Sequence, residues 1–132
     1  VTANPPYMRL LQQKLPRHPQ RRYCNYELRG GVFDFACAAA RQLVAKGIFA
    51  LVHRHDRAGD CVAAVASAGF VPRKRLVATA RGSPKWVVLI STWEGDAEQQ
   101  RSPSACEPEE EERLSIRNEE GAWTPEWSSI CR

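Results

Sequence analysis

VFDFACAAARQLVAKGIFALVHR, residues 32–54, is the stretch on which the fold turns. Its first part, Val32 to Lys46, is alanine-rich, carries Asp34 in its first turn and meets Gly47 where a C-terminal cap belongs, so it predicts a helix. The remainder, IFALVHR from Ile48 to Arg54, is a nearly unbroken apolar run. Such a run predicts a strand buried on both faces of a parallel sheet. Downstream, Asp56 is placed to cap a second helix reaching about Ala68, with Val62, Val65 and Ala66 on one face and Gly69 as its stop. Two further strands, Lys74 to Ala80 and Lys85 to Thr92, flank the turn Arg81-Gly82-Ser83-Pro84 and predict a closing antiparallel hairpin. The fold class is therefore α/β.

Upstream, Val1 to Ala3 predicts the end of a strand, which Pro5-Pro6 must terminate because neither proline can donate to a ladder. Residues 8 to 31 hold two prolines and a closing Gly30-Gly31 and predict an irregular loop with a short helical turn. Beyond the hairpin, Glu94 to Arg113 is polar, acidic and aperiodic, and predicts a disordered linker or insertion. Leu114 to Arg117 predicts an added strand, Asn118 to Gly121 a turn, and Thr124-Pro125-Glu126 a helix start with Thr124 as its cap. The organisation read this way is a body at 1–93, a linker at 94–113 and a terminal strand and helix at 114–132 packing back on the body. Trp86 and the following VVLI read as core, and Trp93, Trp123 and Trp127 as residues packing the tail against the sheet.

The 132 residues suffice for one domain with a real core, and no apolar run approaches the ~20 residues that span a bilayer. A net charge of +4 conceals a division: residues 1–93 hold 15 Lys and Arg against 4 Asp and Glu, and residues 94–132 hold 4 against 11. A body this basic favours a polyanionic partner, whose bound counterions it would release. The five cysteines, an odd set without a C-x-x-C pair, read as reduced thiols of a cytoplasmic protein. His53 and His55 would share a face of an extended segment, but no third ligand lies near them, so no metal site is expected.

The chemistry is carried by Asn4-Pro5-Pro6-Tyr7, a rigid turn between a strand and a loop. An NH2 group on an aromatic ring or amide is a poor nucleophile because its lone pair is delocalised. The Asn4 side-chain oxygen and the Pro5 carbonyl can accept its two hydrogens, drawing the nitrogen toward tetrahedral geometry. The prolines aim the carbonyl beforehand, and Tyr7 offers a flat face on which a base stacks for ~1–3 kcal/mol. The alternative is a proline-stiffened turn capped by a packed tyrosine.

NPPY behind a strand resembles the signature of class I S-adenosylmethionine-dependent methyltransferases that act on exocyclic or amide nitrogen. Residues 26–56, YELRGGVFDFACAAARQLVAKGIFALVHRHD, with VASAGFVPRKRLVATARGSPKWVVLI and LSIRNEEGAWTPEW, resemble the bacterial valine-tRNA (adenine-N(6)) methyltransferases over residues 1–93 and 114–127. The resemblance implies the C-terminal half of a Rossmann-like methyltransferase sheet, acting on an adenine amine in tRNA with S-adenosylmethionine as cofactor. It implies Asn4, Pro5, Pro6 and Tyr7 as the catalytic motif, with Asn4 also facing the cofactor and Tyr7 the base. Glu27 falls where the family has a carboxylate before its helix. Arg54, Arg73, Lys74, Arg75, Arg81 and Lys85 would line the route of the RNA backbone. Where the family has Pro-Gly-Gly before the central strand, this chain has Ala45-Lys46-Gly47. The Gly-rich cofactor turn is expected in a missing N-terminal half, since nothing before Asn4 carries it. Other readings are a glutamine methyltransferase of release factors, which would carry L-E-x-G where ALVHR stands, a guanine-amine methyltransferase of rRNA, more often NPPF, and an inactive fragment that only binds RNA or a partner.

Overall fold

The computed structural model describes residues 1–9, 15–94 and 107–131. Five strands form one mixed sheet in the order β1-β2-β4-β3-β5. These are β1 (Thr2–Ala3), β2 (Ile48–Arg54), β3 (Phe70–Ala80), β4 (Ser83–Trp93) and β5 (Glu110–Arg117). β1 runs parallel to β2, β4 is antiparallel to both β2 and β3, and β5 is parallel to β3. The helices are α1 (Pro19–Asn25), α2 (Val32–Ala40), α3 (Ala58–Ser67) and α4 (Pro125–Ile130), with a 3-10 turn at His55–Arg57. The α/β class and the closing hairpin thus match the sequence expectation in this coarser form.

One face of the sheet is built around α2 and α3. Val32, Ala36 and Ala39 recur at helical spacing on α2 and are buried with Cys61, Val62 and Val65 of α3 against Phe49 and Leu51 of β2. Small side chains on α2 let the helix lie close to its neighbours. A chain of tilted rings, Phe49 to Phe70 at 5.1 Å and Phe70 to Trp93 at 5.3 Å, closes the core toward the start of β2. Each such fully buried side chain contributes about 1.5–3 kcal/mol of hydrophobic stabilisation. Burial also pushes the Cys61 thiol up to about 11, leaving it without thiolate character at neutral pH.

Several local expectations are corrected. The helix from Val32 ends at Ala40, not Lys46. The residues after it serve another element: the Lys46 N–H donates to the Trp93 carbonyl at 2.6 Å, and the Gly47 carbonyl accepts from Trp93 at 2.9 Å. This tie requires Lys46 at φ 63° and a side-chain-free Gly47, whose added Cβ would stand 2.8 Å from the Val44 carbonyl oxygen. β2 is not buried on both faces. Phe49, Leu51 and His53 are fully buried while Ala50 and Val52 are only partly covered, because α2 and α3 lie on one side alone. Asp56 does not cap α3; its carboxylate accepts from Arg54 at 3.0 and 2.5 Å, and the helix begins at Ala58.

The hairpin is longer and tighter than expected. Its turn is the pair Arg81-Gly82, at φ 54° and 71°, with Ala80 opposite Ser83, the left-handed geometry that a two-residue hairpin favours. β3 starts four residues early and tolerates Pro72 because pairing with β5 begins only at Lys74, which leaves the proline at an edge. Of the stretch expected to be a disordered linker, residues 95–106 lie outside the described residues, whereas Glu110 to Arg113 form the first half of β5. Their charge is compensated across the strand pair. Thr124 does cap α4, accepting from the Trp127 N–H at 3.2 Å with Pro125 at the first helical position.

Candidate functional site

All strand ends that matter for the site lie at one end of the sheet. Arg54 of β2, Trp86 of β4, Ala78 of β3 and Leu114 of β5 form one row across the strands, and β1 delivers Asn4 toward the same end. Ligands of α/β proteins collect outside such strand ends. A cavity of about 440 Å³ opens there, on the sheet face opposite α2 and α3, with Asn4 and Tyr7 among its lining residues. Its floor is aliphatic, including Val52, Leu76 and Val88, and Trp86, Trp123 and Trp127 add aromatic walls. Trp86 is therefore not a core residue as expected; it is over a third exposed because it lines the open cavity, on the face away from α2 and α3. Trp93, read as packing the tail against the sheet, is instead buried in the core beside Phe70. Arg117 stacks 3.7 Å from the centre of the Trp123 ring, and Trp123 lies against Trp127 at 6.3 Å.

The turn Asn4-Pro5-Pro6-Tyr7 divides into engaged and unengaged acceptors. Asn4 is exposed, Pro5 is fully buried, and Pro6 and Tyr7 are half-buried. His53 Nε2 lies 3.4 Å from the Pro6 carbonyl oxygen. Arg57 Nη1 donates to the Tyr7 carbonyl at 3.4 Å. Among the described residues no protein group engages the Asn4 side chain or the Pro5 carbonyl. The Tyr7 ring meets the His53 ring edge-on at 5.0 Å and 62°.

Beneath the turn lies an ion-pair cluster that sequence reasoning found only in part. Glu27, expected from the resemblance alone, accepts from Arg57 Nη1 at 2.6 Å, and Arg57 also holds Asp60 at 3.2 Å. Glu27 reaches this position because the chain after the motif returns: the Met8 N–H donates to Asn25 and the Glu27 N–H to Met8, each at 2.9 Å. Burial opposes the Arg57 charge, yet the bonds from Glu27 and Asp60 outweigh it and hold the guanidinium above its ordinary range. Nothing in the spacing of Glu27 and Arg57 marked them as partners. His53 carried a readable signal: a histidine in phase with Phe49 and Leu51 on the inward side of a strand.

Burial depresses the His53 pKa below 6.5, against the bond to Pro6 that raises it; Arg57 lowers it further and Glu27 raises it. A neutral ring in the folded state contributes stability that is fully present above about pH 6.5 and is lost as pH falls below it, because the unfolded chain then binds a proton that the folded ring refuses. Urea midpoints compared at about pH 7.5 and about pH 5.5 are expected to drop more for the wild-type chain than for His53→Phe. An equal drop would contradict the assignment.

The basic residues separate into two groups. Arg54, Arg81 and Lys85 sit at the cavity end, Arg54 paired with Asp56 and Arg81 packed against the Gly121 turn. Arg73, Lys74 and Arg75 lie farther back along β3, level with β1, and each holds carboxylates. Arg73 binds Glu94 and Glu109, both at 2.7 Å, Lys74 binds Glu112 at 2.6 Å, and Arg75 binds Glu107 at 2.6 Å and Glu111 at 3.3 Å. Carboxylates of β5, of the segment leading into it and of Glu94 thus occupy three of the six side chains that the sequence reading assigned to an RNA backbone.

His53 and His55 do not share a face, since β2 ends between them and His55 opens the 3-10 turn. Among the described residues no group of three or more His, Cys, Asp or Glu side chains is placed to hold a metal ion. None of the described helices is long and apolar enough to cross a membrane. The described residues do not fit S-adenosylmethionine as a whole. No pair of glycines spaced G-x-G joins a strand to a helix, and the carboxylates nearest the motif, Glu27, Asp56 and Asp60, are all committed to arginines. No protein-family model matches the chain, and no curated protein matches it.

Proposed function

We propose that this chain presents the exocyclic amine of an adenine in tRNA for N-methylation, as the substrate-facing, C-terminal half of a Rossmann-like class I methyltransferase. One observation carries the reading: in a turn whose next two carbonyls are tied down, the Asn4 amide and the Pro5 carbonyl have no partner among the described residues, and Asn4 lines the cavity together with Tyr7. An unpaired carbonyl on a buried residue is uncommon in folded chains and marks a place where a donor from outside completes the set.

In this reading the base leaves its stack, at a cost of a few kcal/mol, and lies against the Tyr7 ring. Its amine donates one hydrogen to Asn4 Oδ1 and the other to the Pro5 carbonyl. Both bonds strengthen as the nitrogen becomes tetrahedral and its lone pair turns outward, so they favour the transition state over the ground state. No general base is needed before the new bond forms, because the nitrogen loses its proton afterwards. The methyl donor is held outside the described residues, and no step is assigned to it here.

The test is methyl incorporation. Expressed from its complete reading frame and given labelled S-adenosylmethionine, the protein is expected to label tRNA at adenine N6. Label in a release factor or in rRNA guanine would replace the substrate, and RNA binding without any label would leave only a binding module. For the RNA backbone, Arg54, Arg81 and Lys85 lie at the end of the sheet where the cavity opens without lining it, while Arg73 and Arg75 become available only when their glutamates are displaced. The combined variant Glu94→Gln, Glu107→Gln, Glu109→Gln, Glu111→Gln, which removes every carboxylate paired with the two arginines, is therefore expected to bind single-stranded RNA more tightly. Two added phosphate contacts would steepen the log–log salt slope by about 1.4. Fluorescence anisotropy across a salt series reads this directly, and an unchanged slope would show that the two guanidiniums do not reach the polyanion.

A further inference from the structure

Phe49, Leu51 and His53 point the same way along β2, and all three are fully buried. A leucine in the third place would fill it without burying polar atoms. A histidine instead takes two ring nitrogens out of water, and Nδ1 finds no hydrogen-bond partner among the described residues. Such a half-satisfied buried group is retained where it serves something besides packing. Its contacts lie with the motif: Nε2 faces the Pro6 carbonyl at 3.4 Å, and the ring meets the edge of Tyr7 at 5.0 Å. A carbonyl oxygen only accepts, so the neutral ring carries its proton on Nε2 and leaves Nδ1 bare.

We propose that His53 is a positioning residue for the Asn4–Tyr7 turn, holding the Pro6 carbonyl and the Tyr7 ring so that the Asn4 amide and Pro5 carbonyl keep the geometry a substrate amine requires. This rests on the functional reading above. The contact is local and directional. Arg57 fixes the following carbonyl, that of Tyr7, from the 3-10 turn, so two successive peptide groups are pinned from two points at the end of β2. The prolines restrict φ at two positions, but they do not fix the orientation of the whole turn against the sheet; the pinned carbonyls do. A side chain that acts in this way touches no substrate, and its loss is felt as misplacement. Misplacement of reacting groups by about 1 Å costs on the order of 10²-fold in rate.

The charged and titratable groups that act on the ring are Tyr7 from the motif, Glu27 from the returning loop, and Asp56 and Arg57 just after the end of β2, with the Arg54 backbone beside it. In the 132-residue chain, a long-range proton–nitrogen spectrum of the imidazoles is expected to show His53 protonated at Nε2, bare at Nδ1, and taking up its second proton at a lower pH than histidines of ordinary pKa. In the complete reading frame, His53→Phe keeps an aromatic ring and removes the donor. It is expected to lower kcat about 10- to 100-fold with the KM for RNA within about twofold. His53→Gln, which retains an N–H, is expected to recover most of that loss. A phenylalanine variant with wild-type kcat would overturn the proposal, as would a ring protonated at Nδ1. The spectrum is taken on the wild-type chain, so it decides the matter even where a variant fails to fold. Should the wild-type protein transfer no methyl group at all, the functional reading fails, and the ring spectrum alone then decides whether the His53 contact exists.

Discussion

Replacing Asn4 by alanine is expected to slow methyl transfer to tRNA by about 10²–10³-fold, the cost of removing one preorganised partner of a developing charge, while RNA affinity stays within about twofold. The exposed amide makes no contact within the described protein, so its loss leaves the folded turn unchanged: Pro6 and Tyr7 remain tied to His53 and Arg57. What disappears is one of two acceptors for the target amine. The remaining Pro5 carbonyl can still hold one hydrogen, but the nitrogen keeps its planar geometry and its lone pair stays delocalised into the ring. RNA affinity comes mainly from backbone contacts and from stacking, neither of which involves Asn4. Initial rates of methyl incorporation and anisotropy titrations with the same tRNA measure the two quantities side by side. Parallel loss of both would assign the motif a structural role.

The second large effect concerns stability. Arg57→Ala is expected to destabilise the chain by about 3 kcal/mol, the lower end of the cost of leaving one member of a buried pair unpaired. Arg57 and Glu27 side chains are only 16% and 18% exposed, so solvent screens them little. The same change leaves Asp60 with Arg9 alone and releases the Tyr7 carbonyl. Replacing both partners by apolar residues, Arg57→Met with Glu27→Leu, is expected to recover most of the loss because no uncompensated charge stays behind. Urea unfolding at constant m-value measures it. A single variant within about 0.5 kcal/mol of wild type would mean that the pair is effectively solvated.

The elements legible in the sequence were those with a local cause. Gly69, at φ 90°, ends α3; Pro125 behind Thr124 starts α4; Pro5-Pro6 ends β1. What was not legible depended on partners far along the chain. The length of α2 was misjudged because Lys46 and Gly47 are taken up by Trp93, and no helix propensity registers a bond to a residue 47 positions away. β2 read as buried on both sides because an apolar run carries no information about whether a second helix layer exists. Glu110 to Glu112 read as linker because a run of like charges normally repels. Here that run lies beside Lys74 and Arg75, and the opposite charge across the strand pair makes an edge strand of it. Of the site, the turn at Pro5-Pro6 that ends β1 was legible, and the position of Asn4 and Tyr7 at the cavity follows from β1 pairing parallel with β2. The pairing of Glu27 with Arg57 under the turn was not legible, because it depends on Met8 joining Asn25 and Glu27 through backbone hydrogen bonds.

A complex of the protein with the adenine-bearing stem-loop of its tRNA tests the central claim most directly, through the position of the exocyclic nitrogen. The expected structure has that nitrogen about 2.7–3.2 Å from both Asn4 Oδ1 and the Pro5 carbonyl oxygen, with the base lying flat on Tyr7. A base bound elsewhere in the cavity, or an Asn4 amide turned away from it, would contradict the account.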